Sequence, residues 1–66
     1  MKDILADIAA ARADWMINTM RLNAEDSAEV REDFRFTAWL WAGEYEDGRC
    51  SRQKAISIIS NLRPVL

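Results

Sequence analysis

Apolar positions recur at helical rather than strand spacing along nearly the whole chain. Ile4, Ile8, Ala11, Trp15 and Leu22 follow one another at steps near three and four, and Leu5, Ala9, Met16 and Met20 form a row beside them. At about 100° per residue the two rows merge into one broad apolar face. Asp3, Asp7, Asp14 and Asn18 line its far edge. The pattern predicts a first helix from about Asp3 to Arg21. Asp3 suits the cap, and Asp7 suits the positive end of the helix dipole.

Asn23 to Ser27 reads as a connector. Asp26 or Ser27 is the expected cap of a second helix, with Glu29 placed to reach back in a capping box. That helix should run to Tyr45 or Glu46. Val30, Phe34, Thr37, Ala38, Trp41 and Tyr45 share one face, and Phe36, Trp39, Leu40 and Gly43 fall largely on the other. Gly48 suits the left-handed residue that follows a helix end. Ser51 then caps a short third helix with Ala55, Ile56, Ile58, Ile59 and Leu62 on its apolar side. Arg63-Pro64 stops it, because a residue before proline avoids helical dihedrals. Val65 and Leu66 make an apolar tail.

The expected fold is therefore all-α: a helical hairpin of two longer helices with a short third helix folded against it, in one domain over residues 1–66. The expected core is Ile4, Leu5, Ile8, Trp15, Met16, Val30, Phe34, Trp41, Ile59 and Leu62. Homodimer assembly is also expected. A chain of this length hides only about 60% of the surface its unfolded form exposes, and such domains usually need a staple or a partner. Cys50 is the only cysteine, so no disulfide closes within the chain.

Composition narrows the chemistry. There is no His, and one Cys cannot build a cysteine-type zinc site, so no metal and no cofactor is expected. Without His the commonest general base is missing, and Cys50 has no imidazole to activate it. Ser51 with Lys54 imitates a serine–lysine pair, but a serine at a helix start is a cap. Glu44 to Gly48 hints at a calcium loop, yet the register places Gly43 and Lys54 where two essential carboxylates belong. The chain is not expected to be an enzyme, and no small-molecule substrate is expected.

Acids inside the opening stretch exclude a signal peptide, and no apolar run is long enough to span a bilayer. The first helix edges its apolar face with aspartates, which anionic lipid repels, so a membrane-surface role is not expected. A lone free cysteine suits a cytoplasmic setting.

Three features bear on function. Half the residues are hydrophobic, three of them Trp, and three helices of this size can each cover about one stripe. Phe36, Trp39 and Leu40 lie off the main face of their helix. Either the third helix or the tail covers them, or they form an interface with another copy or a foreign protein. Arg12 projects from the middle of the first helix's apolar face. It either snorkels to water or pairs with Glu29, Glu32, Asp33 or Glu44 at a helix–helix seam. Arg12 and Arg35 are the expected polar anchors of the interface.

Charge is also segregated. All eleven acids lie within residues 1–48, whereas Arg49, Arg52, Lys54 and Arg63 stand in an acid-free C-terminal segment. A turn entering a helix with Arg49, Arg52, Gln53, Lys54 and Ser57 is loosely similar to a helix-turn-helix DNA reader, whose second helix presents such side chains. The overall acidity works against phosphate attraction.

The leading expectation is a non-catalytic protein–protein interaction module, binding itself and another protein. The alternative is a small helix-turn-helix-like DNA-binding transcriptional regulator. A tiny, acidic, Trp-rich helical unit resembles, in general style, the small accessory proteins of phages and mobile elements. That resemblance implies binding to, and inhibition of, a host protein.

Overall fold

The structure is a computed structural model that describes residues 1–65. Three helices and no strand occur among the described residues: α1 (Lys2–Met20), α2 (Ala24–Glu46) and α3 (Arg52–Ser60). A helix of 23 residues rising 1.5 Å each is about 35 Å long. That length accounts for the long dimension of the molecule, which measures 37 × 18 × 15 Å. Only Arg21, Leu22 and Asn23 separate α1 from α2, so the two form an antiparallel hairpin, cross-linked by an ion pair from Arg31 to Asp14.

The turns are built from backbone chemistry. At the end of α1, Arg21 takes the left-handed conformation (φ 53°, ψ 50°), and the Leu22 N–H donates to the Ile17 carbonyl at 3.1 Å. This is the backbone bond of a Schellman ending, and Leu22 and Ile17 both pack against the core. α2 ends the same way, with Gly48 (φ 75°) in the left-handed position. There the Gly48 N–H donates to Tyr45 and the Arg49 N–H to Glu44.

α2 starts earlier than the expected Asp26 or Ser27. Asn23 is the cap, and its Oδ1 accepts from the Asp26 N–H at 2.8 Å. Asn23 satisfies an orphan donor as well as Asp26 would, and it adds a turn to the helix. α1 likewise begins before Asp3. Met1 precedes it without a side-chain cap, and Asp3 sits in the first turn. Ser51 caps α3 as expected, accepting from the Lys54 N–H at 3.1 Å. That helix ends at Ser60, ahead of the proline, where the Asn61 amide donates to the Ser57 carbonyl at 2.7 Å.

The core follows a narrower rule than the broad apolar faces suggest. α1 buries Leu5, Ala9, Ala13 and Met16; α2 buries Val30, Phe34, Ala38 and Ala42; α3 adds Ala55 and Ile59. In α2 the row steps by four throughout, an i±4 ridge, and in α1 it steps by four from Leu5 to Ala13 and by three to Met16. Five of these ten residues are alanine. Alanines bury little area each, but they let two helices approach closely and pack without voids.

The expected core is corrected accordingly. Leu5, Met16, Val30, Phe34 and Ile59 are buried, while Ile8, Trp41 and Leu62 are half-buried against them. Ile4 is 41% exposed and Trp15 is 54% exposed. The seam selects the row of small residues, which displaces the bulkier neighbouring row to the flank.

Candidate recognition surface

α3 packs on one flank of the hairpin and leaves the other open. On the open flank, two shallow depressions of about 380 and 450 Å³ share Ala6, Glu32 and Arg35 and so form one groove between α1 and α2. No residue of α3 lines it. Its floor is made of short side chains, Ala6 and Ala10 from α1 and Ala28 from α2. Its upper end is walled by Phe36 and Trp39, which stack with ring centroids 6.0 Å apart and an interplanar angle of 26°. Phe36 and Trp39 remain 58% and 56% exposed.

The sequence places this arrangement by helical geometry. Ala28, Glu32, Arg35 and Trp39 recur at steps of four, three and four, so they share one face of α2. That face lies roughly 110° around the helix from the buried Val30–Phe34–Ala38–Ala42 row. Turning one row into the core therefore turns the other to the surface. The aromatic pair is not covered by α3. Val65 of the tail is itself 92% exposed, and Leu66 lies outside the described residues.

The residues singled out from the sequence separate into three places. Arg35, Phe36 and Trp39 meet in the groove. Leu40, 46% exposed, stands beside Trp39 and lines a third, smaller hollow with Gly43. Arg12 stands apart, on the flank that receives α3. Its Nε donates to the Leu62 carbonyl at 2.8 Å, and its guanidinium lies 4.8 Å from the centroid of the Trp15 ring. No carboxylate among the described residues lies within 4.0 Å of it. The pairing considered with Glu29, Glu32, Asp33 or Glu44 is therefore replaced by a backbone carbonyl and a ring face.

The basic segment follows the C-terminal end of α2 and lines neither depression of the groove. Arg52, Gln53, Lys54 and Ser57 are exposed on α3. Arg49 is drawn back onto the end of α2, 3.3 Å from Glu44 and 3.9 Å from Asp47. Among the described residues no group of three or more His, Cys, Asp or Glu side chains could hold a metal ion, and no helix is long and apolar enough to cross a membrane.

Sequence reasoning found the aromatic wall of the groove and missed its floor. The signal was present: Ala6, Ala10 and Ala28 are short residues at positions flanking the core rows, where charged side chains would otherwise fill the space.

Compared with known protein families, with curated proteins and with solved structures, the chain matches none.

Proposed function

We propose that this protein is a non-catalytic recognition module, binding other protein surfaces through the open flank of its helical hairpin. One observation carries the reading: Phe36 and Trp39, stacked and each more than half exposed, wall one end of a groove whose other end is lined by Ala10 and Ala28. Phe and Trp are enriched where binding energy concentrates, and an exposed apolar patch costs solubility unless something covers it. The flanking charges of Arg35, Glu32 and Lys2 form the polar rim that such interfaces carry. A module this small acts by occupying a surface, which fits an accessory or inhibitory role, and its lone free thiol, Cys50, fits the cytoplasm.

The test compares the tagged protein with Trp39→Ala and Phe36→Ala in affinity capture from cell lysate, with and without nuclease. Wild type should retain a protein in stoichiometric amount after nuclease, and both variants should lose it with helicity unchanged by circular dichroism. Equal retention by all three proteins overturns the reading.

A second reading, nucleic-acid binding, draws on Arg52 and Lys54. Both are exposed, and neither lies within 4.0 Å of an acid among the described residues. It requires DNA affinity that falls steeply with salt. Its weakness is Arg49, already engaged by two acids of the same chain.

A further inference from the structure

The groove face of α2 is complementary to itself. About a point level with Asp33 and Phe34, its residues fall into equidistant pairs of opposite character. Glu32 is matched by Arg35, an acid by a base. Ala28 is matched by Trp39, the smallest side chain by the largest. A two-fold interface needs this property, because each residue i meets j of the other copy while j meets i.

We propose that the groove is occupied by a second copy of this chain, with the two α2 helices crossing antiparallel about a two-fold axis at that point. Trp39 of one copy lies over Ala28 of the other, and Arg35 pairs with Glu32 twice by symmetry. This assignment rests on the recognition reading above and names its partner.

Two further observations support it. Glu32 and Arg35 line the same depression, yet neither forms an ion pair within 4.0 Å among the described residues. Both are therefore available to a partner. The α1 side of the groove carries Ala6 and Ala10, whose short side chains let a second helix settle between α1 and α2.

The experiment is sedimentation equilibrium over a concentration series on wild type, Arg35→Glu, Glu32→Arg and an equimolar mixture of the two variants. Both sites are exposed, so the variants should keep the wild-type circular dichroism spectrum. In Arg35→Glu homodimers acid faces acid, and in Glu32→Arg homodimers base faces base. Each variant alone should dimerise at least about ten-fold more weakly than wild type, because opposed like charges are costly at an interface. In the mixture every pair is again acid against base, so a heterodimer should form with near wild-type affinity. A wild-type protein that stays monomeric throughout overturns self-pairing. So does a dimer insensitive to both charge reversals, or a mixture that fails to recover. Loss of a captured foreign protein in Trp39→Ala from a monomeric chain would assign the groove to that protein instead, retaining the recognition reading and discarding the second copy.

Discussion

Arg12 on α1 donates its Nε–H to the main-chain carbonyl of Leu62, fifty positions along the chain, at 2.8 Å. This bond ties the segment following α3 to the hairpin. A helix of nine residues is too short to persist alone in water, so α3 depends on such ties and on the burial of Ala55 and Ile59. The guanidinium also lies over Trp15, giving this half-exposed indole a cationic partner on one ring face.

Replacing Arg12 by Met keeps the apolar stem and removes the donor. A hydrogen bond from a charged group contributes about 1.5–3 kcal/mol. Partial exposure places this one near the lower end. Urea unfolding of Arg12→Met should show a loss of roughly 1–2 kcal/mol. Amide exchange should quicken first over Ala55 to Leu62, with α1 and α2 less affected. Equal exchange rates in variant and wild type would show that Arg12 does not hold α3.

The alanine seam predicts a sharper penalty. Ala13 and Ala38 are essentially fully buried at the hairpin interface, where extra methylenes have nowhere to go. Ala13→Leu and Ala38→Leu should each destabilise by about 1–3 kcal/mol or more through overpacking. Ala11→Leu, the same change at an exposed position of the same helix, should stay within about 0.5 kcal/mol of wild type. Thermal unfolding of the three variants checks the ordering. Similar stability for all three would contradict a tightly packed seam.

The same seam explains what could be read in advance. Helical periodicity, the Ser51 cap and the left-handed Gly48 were legible because each has a local physical cause. The exposure of Phe36, Trp39 and Leu40 was legible as a choice, since three helices cannot cover a second stripe on α2. The core row of α1 was legible in part: Leu5 and Met16 were expected in the core, but so were Ile4 and Trp15, and Ala13 was not. Ile4 and Trp15 carry the stronger hydrophobic signal, yet close approach of the helices favours the Leu5–Ala9–Ala13 row, and alanine periodicity is weak in any transfer scale. The floor of the groove was missed for the same reason. The Arg12–Leu62 bond was beyond reach because its acceptor is a main-chain carbonyl, which every residue possesses.

Two helix endings share one geometry but not one residue type. Gly48 and Arg21 both occupy the left-handed position after a helix, at φ 75° and φ 53°. A side chain there costs on the order of 1 kcal/mol that glycine avoids. Arg21→Gly should therefore raise stability by about 0.5–1 kcal/mol, and Gly48→Ala should lower it by a similar amount. Nothing lies within 4 Å of a Cβ built at Gly48, so that loss reflects backbone strain and not a clash. Guanidinium unfolding of the pair is the check, and opposite signs are required.

The N-terminus of α3 presents charges of the unfavourable sign. Arg52 and Lys54 occupy its first turn, which contains no acid, although the positive end of the helix dipole favours carboxylates there. Arg52→Glu should relieve this and stabilise the fold by about 0.3–1 kcal/mol at low ionic strength, a gain that should fade as salt is added. The same substitution discriminates between the two functional readings. A recognition module using the α1–α2 groove should bind its partner unchanged, because α3 contributes nothing to that groove. A DNA reader should lose affinity for short duplexes, measurable by fluorescence anisotropy. Unaltered protein capture together with a salt-dependent rise in stability would identify the basic turn as an uncompensated helix end and leave the groove as the working surface.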